Sequence, residues 1–172
     1  MTRAYIGLGS NLGERLANLS DAVRRLHERG VGFVHSSRVY ETQPVGGPPQ
    51  PDFLNAVIEV ETDLKPRALL QACLGAEDAM GRERTEERWG PRSIDIDILS
   101  FGDEQIDEPD LQIPHPRMHE RGFVVIPLFE LEADPMIAGG GKLSTTRMSP
   151  LLLGACRPFA PPLALSDSSI DG

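Results

Sequence analysis

Residues 82–99 read RERTEERWGPRSIDIDIL, and the second half of that stretch decides the fold. Ile94, Ile96 and Ile98 alternate with Asp95 and Asp97, the period of two that predicts a strand with one apolar and one acidic face. Residues i and i+2 of a strand lie about 7 Å apart on one face. Two carboxylates held there repel by roughly 2 kcal/mol at an effective dielectric of about 20. A divalent cation removes that cost, and two cations about 3.5–4 Å apart can be bridged by such a pair. Oxygen donors suit Mg2+ better than zinc or copper. The first half of the stretch carries Arg82, Arg84, Arg88 and Arg92, forked donors matched to phosphate oxygens, with Trp89 among them. Carboxylates for metal and arginines for phosphate point to a metal–nucleotide site. The Asp pair alone leaves open a plainer reading, a half-buried strand with a solvated acidic face behind a charged surface loop.

Working outward from this strand, the remaining elements alternate between the two periods. Residues 4–8 form a short apolar strand ending in Gly9. A helix follows, with Asn11 read as its N-cap and Glu14 as the capping-box partner. Leu12, Leu16, Leu19, Val23 and Leu26 form its stripe, and Gly30 ends it. Gly7, Gly9 and Gly13 invite comparison with a dinucleotide-binding turn, but Leu12 stands where G-x-G-x-x-G needs its third glycine. Close packing is the better reason for these glycines. Residues 31–42 are rich in β-formers and read as one strand. Residues 43–52 carry four prolines and two glycines, which predicts an exposed loop, longer than a hairpin needs and suited to a lid. Residues 55–62 alternate again, with Ala56, Ile58 and Val60 on one face. Pro66 opens a second helix whose stripe is Leu69, Cys73, Ala76 and Met80, closed by Gly81.

The order is therefore β-α-β-β-α-β, an α+β, ferredoxin-like sandwich with helices on one face of an antiparallel sheet. The other face or its rim is left for ligands. A short strand is expected to begin at Ile106, and residues 123–132 read as a helix interrupted by Pro127. Gly141-Lys142 is not a phosphate loop, because the required upstream glycine is Met136 and Leu143 replaces Ser or Thr. His115 and His119 have the spacing of a zinc pair, but Pro116 disfavours a helix at His115 and no H-E-x-x-H is present.

Five segments carry a resemblance. Arg88-x-Gly90-Pro91-Arg92-x-x-Asp95-Ile96-Asp97-Ile98-Leu99 is similar to the signature of the 6-hydroxymethyl-7,8-dihydropterin pyrophosphokinase family of folate synthesis. In the same order come Gly7-Leu8-Gly9-Ser10-Asn11-Leu12-Gly13, Tyr40-Glu41-Thr42-Gln43-Pro44-Val45-Gly46, Asp52-Phe53-Leu54-Asn55-Ala56, and Pro114-His115-Pro116-Arg117-Met118 leading to Arg121-Gly122-Phe123. The resemblance spans roughly residues 3–137. It implies transfer of the β,γ-diphosphate of ATP to the pterin hydroxymethyl group with release of AMP. Asp95 and Asp97 would hold two Mg2+ ions, and Arg82 and Arg92 would act on the transferring group. Leu70, Glu77, Arg84, Trp89, Ile98, His115 and Arg121 would contact ATP. Thr42, Pro44, Val45, Phe53, Asn55 and Phe123 would bind the pterin, the two phenylalanines by stacking. Some relatives have Arg near 110 and Tyr at 116, where this chain has Asp110 and Pro116. Residues 1–142 would form the pyrophosphokinase domain, and residues 143–172 a poorly ordered or divergent tail.

Whole-chain composition bounds the alternatives. A formal net charge of −9 over 172 residues argues against non-specific nucleic-acid binding, though not against a local arginine pocket. Cys73 and Cys156 are the only cysteines, too few for a disulfide framework. The N-terminal residues lack the apolar run of a secretory signal, and no stretch approaches the ~18–20 apolar residues of a membrane span. The expectation is a cytoplasmic monomer acting on small molecules, without nucleic acid or membrane. Two other readings are another Mg2+-dependent nucleotide-using transferase and a non-catalytic ferredoxin-like ligand-binding module. The second would not need the Asp pair or the loop arginines.

Overall fold

The computed structural model of the chain describes residues 1–44, 49–81, 93–118, 121–132, 135 and 156–165. The first strand, β1 (Thr2–Ser10), is paired antiparallel on both sides. Along one edge runs β4 (Phe53–Thr62) and along the other β5 (Asp95–Phe101). Beyond β4 lie β2 (Gly32–Ser36) and β3 (Val39–Thr42), each paired with a different part of it. The main path is β5-β1-β4-β3, continued by β8 (Cys156–Ala160) on the outer edge of β3. The expected ferredoxin-like βαββαβ order is therefore realised, with α1 (Arg15–Glu28) and α2 (Pro66–Ala79) as its two helices.

Strand alternation sorts the residues between two cores. Ile6 and Leu8 of β1, Ala56, Ile58 and Val60 of β4, and Ile96 and Ile98 of β5 face α1 and α2. There they meet Leu19, Val23 and Leu26 of α1 and Leu69, Cys73 and Ala76 of α2. On the opposite face, Tyr5, Val57 and Leu99 are covered by Met118 and by Val124 and Leu128 of α3 (Gly122–Phe129). β4 is consequently buried on both faces along most of its length. The short hairpin of β6 (Ile106–Glu108) and β7 (Leu111–Ile113) tucks Leu111 and Ile113 into the α1–α2 core.

Several local readings need correction. Helix α1 begins at Arg15 behind Glu14, whose side chain makes no capping bond, so Asn11 is not an N-cap. Buried Asn11 instead donates from Nδ2 to Gln50 Oε1 (2.9 Å) and to the Pro51 carbonyl (3.0 Å). Leu12 and Leu16 are exposed; Leu19, Ala22, Val23 and Leu26 are the buried stripe. The single strand expected over residues 31–42 breaks at buried Ser37. Its N–H donates to the Val57 carbonyl (2.8 Å) while its Oγ accepts the Val57 N–H (2.9 Å), which keeps both main chains satisfied across the break. Helix α3 runs through Pro127 rather than being interrupted by it. Where an unstructured tail is expected, Cys156–Ala160 forms a sheet strand, because the outer edge of β3 offers main-chain groups for pairing. Gly30 and Gly81 end their helices in left-handed conformation (φ 88° and 74°), as expected.

Two carboxylates anchor the segment after α3. Glu130 accepts from Arg38 Nε (2.8 Å) and Tyr40 Oη (3.1 Å). Tyr5 Oη donates to Glu59 (3.1 Å) and lies 3.5 Å from Glu132. Burial and these two acids push the Tyr5 phenol up to about 12.

Candidate active site

The registers on either side of β1 bring the sequence motifs together. Gly9 is opposite Asn55 of β4 and Asp95 of β5; Gly7 is opposite Val57 and Asp97. Partners across an antiparallel ladder point to the same face. Asp95, Asp97 and Asn55 therefore share the face opposite α1 and α2, separated by a strand that contributes two glycines there. A Cβ built on Gly9 would come within 2.9 Å of Asn55 Oδ1, 3.8 Å of the Phe53 ring and 3.9 Å of Asp95 Cβ. The glycine is thus required by the close approach of Asn55.

Asn55 is nearly buried and its amide donates to Thr42 Oγ1 at 2.7 Å, linking β4 to β3. Thr42 is paired in turn with Phe53 on the last rung of the β3–β4 ladder. Thr42, Phe53 and Asn55, three of the residues expected at the pterin, are thereby fixed to one another across two strands. Pro44 follows directly; Val45 lies outside the described residues.

On the other flank, β5, at the end of the main sheet path, places Asp95 and Asp97, both half-buried. Glu77 is buried on α2, and the Cys73 thiol is pushed well above its ordinary range by burial first, then by the Glu77 and Asp97 carboxylates. Leu70, half-buried on α2, and Ile98, buried on β5, pack in the adjoining core.

The segment after β7 returns across the end of β5, where the His115 N–H donates to the Leu99 carbonyl at 2.8 Å. His115 Nδ1 accepts the Arg117 backbone N–H at 3.2 Å. That bond leaves the proton of the neutral ring on Nε2, a donor. Burial, then the Arg121 and Arg117 guanidiniums, depress the imidazole to about 4. Nδ1 is occupied in this way, and His119 lies outside the described residues, so the paired-histidine zinc reading gains nothing. Arg121 stands 5.7 Å over the ring of Phe123 at the start of α3, so a cation and an aromatic face are presented together. Asp110, where some relatives have Arg, is held by Arg67 through bonds of 2.8 and 3.1 Å, and Arg67 also pairs with Glu108. The departure thus has a local partner in α2. Arg82, Arg84, Trp89 and Arg92 lie outside the described residues.

Some contributors escape a motif reading. Arg15 and Arg157 are unremarkable charges in the sequence. Nothing local reveals that β8 comes back beside β3.

Residues 5–133 match the model of the 7,8-dihydro-6-hydroxymethylpterin-pyrophosphokinase (HPPK) family. A 2-amino-4-hydroxy-6-hydroxymethyldihydropteridine pyrophosphokinase of Methylorubrum extorquens is 46% identical over 140 residues, covering 81% of this chain and 88% of its own. The like-named protein of Bacillus subtilis is 48% identical over 129 residues, 74% of this chain and 77% of its own. That of Synechocystis sp. is 38% identical over 166 residues, 96% of this chain and 84% of its own, so its match reaches into the segment beyond residue 142. Among solved structures, an HPPK-DHPS in complex with substrates superposes with a TM-score of 0.58 at 15% identity, over 76% of this chain and 40% of that one. Plasmodium falciparum HPPK-DHPS with pterin and p-hydroxybenzoate gives 0.55 at 18% identity, over 74% and 38%. These longer chains, of which this one spans about two fifths, show the shared fold.

The His115 environment has a measurable sign. Its folded value of about 4 lies below the ordinary 6.5, so the unfolded chain takes up the proton first as pH falls. The stability it contributes is complete above about pH 6.5 and is lost progressively toward pH 4. An NMR titration of the ligand-free protein should place the His115 midpoint near 4, and His115→Gln should flatten the loss of stability across that window.

Proposed function

The chain belongs to the 7,8-dihydro-6-hydroxymethylpterin-pyrophosphokinase family, and from that premise we propose how its residues divide the reaction. It is an ATP-dependent diphosphotransferase of folate synthesis: diphosphate passes from ATP to the hydroxymethyl group of 6-hydroxymethyl-7,8-dihydropterin, and AMP leaves. Such a transfer asks little covalent chemistry of the protein and much positioning and charge neutralisation. One observation carries the division of labour. The Asn55–Gly9–Asp95 row places an amide reader and a carboxylate on opposite sides of a bare glycine.

On the pterin side, Asn55 and the backbone of Thr42, Pro44 and Val45 read the edge of the ring, and Phe53 and Phe123 stack on its faces. A flat heterocycle rich in amide-like donors and acceptors calls for both kinds of contact. On the nucleotide side, Leu70, Glu77 and Ile98 border the adenine, while Arg84, His115 and Arg121 contact the nucleotide and its phosphates. The neutral His115 presents an Nε2 donor, and its suppressed charge leaves Arg121 as the cation. Trp89 would add a contact to the nucleotide.

Asp95 and Asp97 fit a hard cation, being two half-buried carboxylates on one strand face with no side chain opposite either on β1. We assign them two Mg2+ ions, since Mg2+ takes one or two carboxylates and completes its shell with water and substrate phosphates. Bound there, the ions would neutralise phosphate charge. Arg82 and Arg92 donate to the transferring group as its charge develops. On this reading the chain works as a cytoplasmic monomer. Both cysteines are free, in keeping with a reducing compartment, and no helix among the described residues is long and apolar enough to cross a membrane.

The decisive assay mixes the protein with Mg2+, ATP and 6-hydroxymethyl-7,8-dihydropterin and identifies the nucleotide product. AMP in step with diphosphorylated pterin is expected; ADP would mean simple phosphoryl transfer. Asp97→Ala should slow that turnover by more than about a hundredfold, roughly 3 kcal/mol of transition-state stabilisation, with an unchanged far-ultraviolet spectrum. Near-normal turnover would remove Asp97 from the metal assignment. Gly9→Ala drives a Cβ against Asn55 Oδ1. It should raise the pterin KM by about tenfold, the cost of one displaced hydrogen bond, and leave the ATP KM nearly unchanged.

A further inference from the structure

Four charged residues from three distant parts of the chain converge behind the pterin-facing rung. Arg15, the first residue of α1, donates from Nη1 to Glu41 Oε2 and to the Asp52 main-chain carbonyl, both at 2.9 Å. Arg157 of β8 donates from Nη2 to Glu41 Oε1 at 2.9 Å and to Asp52 Oδ2 at 3.1 Å. Both Glu41 oxygens are engaged, and Asp52 is held by its side chain and its main chain at once. The Arg15 guanidinium also lies 5.4 Å from the centre of the Phe159 ring, which ties α1 to β8 a second time.

The placement gives this network its meaning. Glu41 immediately precedes Thr42, and Asp52 immediately precedes Phe53; Thr42 and Phe53 pair on the last rung before the connection of residues 43–52. Glu41 is opposite Leu54, whose side chain lies in the α1–α2 core, so it points away from the face that bears Thr42, Phe53 and Asn55. The two arginines thus grip both ends of the connection from the rear of the sheet. Asn11 adds a grip two residues upstream of Asp52, through Gln50 and Pro51. Single exposed ion pairs hold little. Here two charges of each sign share partners, and Arg15 and Glu41 are only about a quarter exposed (25% and 23%), which limits screening.

We infer that Arg157, acting with Arg15, is a positioning residue for pterin binding: through Glu41 and Asp52 it sets the rung that carries Thr42 and Phe53, and with it Asn55. This rests on the pterin reading given above, and it extends the working unit past residue 142 to the C-terminal strand. No contact between Arg157 and substrate is involved.

The test is titration calorimetry in Mg2+ on the wild-type protein, Arg157→Ala and Arg157→Lys. A nonhydrolysable ATP analogue is titrated first, and 6-hydroxymethyl-7,8-dihydropterin is then titrated onto the analogue-saturated protein. Arg157→Ala should weaken pterin by about three- to tenfold, the range a partly exposed ion-pair network commands, with unchanged analogue affinity. Arg157→Lys, which keeps one charged donor, should recover part of the loss. Wild-type protein that does not bind pterin overturns the pterin reading and this proposal with it. Wild-type binding with equal pterin affinity in Arg157→Ala overturns the proposal alone. Equal losses for both ligands with a lowered Tm would make Arg157 a purely structural residue and overturn it as well.

Discussion

Everything in this molecule depends on β1 being hydrogen-bonded on both sides. A strand in that position must satisfy two ladders at once, and its side chains must fit between those of two neighbours on each face. On the helix-facing side the chain answers with Ala4, Ile6 and Leu8, all buried. On the other side it answers with Tyr5, then Gly7 and Gly9. Tyr5 is large enough to join the cluster under α3, and the two glycines remove side-chain bulk over the next two rungs. One strand therefore carries a bulky aromatic residue and then two bare glycines on the same sheet face.

The segments legible in the sequence are those whose burial is one-sided. Asp95 and Asp97 against Ile96 and Ile98 could adopt only one strand orientation, because a one-residue slip would bury two carboxylates. The α2 stripe is readable for the same reason, whereas β4, buried on both faces, is readable only from the alternation of Ala56, Ile58 and Val60 with mostly polar neighbours. Where local pattern competes with distant partners the reading fails. Asn11 followed by Glu14 looks like a helix start, yet its amide donates to the Gln50 side chain and the Pro51 carbonyl, 39 and 40 residues away. The break at Ser37 depends on a bond to Val57 in another strand. Strand β8 contains Pro158 and an exposed Phe159, so nothing in its composition announces an edge strand; only the vacant side of β3 selects it.

The site was legible to a similar degree and for related reasons. Residues of the proposed site that belong to a short motif, such as Asp95, Asp97 and Asn55, stand out by their spacing. Residues that act through packing, such as Gly9, are visible only once the register shows what lies opposite. Charged residues that act from behind, such as Arg15 and Arg157, carry no local mark at all. The second face of the sheet tells the same story. Glu130 and Glu132 look like ordinary surface acids, but their partners Tyr40, Arg38 and Tyr5 lie some 90 to 130 residues upstream and tie the end of α3 to the sheet.

The Asn55–Gly9–Asp95 row also acts as a ruler. Asn55 and Asp95 stand on the strands flanking β1, so their main chains are two inter-strand spacings apart, roughly 10 Å. That length is set by backbone hydrogen bonds rather than by any rotamer, and the central strand cannot slide without breaking two ladders together. The separation between the strands that carry the Asn55 amide and the Asp95 carboxylate is thus built into the sheet itself. Adjustment to different cargo has to come from the chain segments around the sheet, while the distance across its floor stays constant.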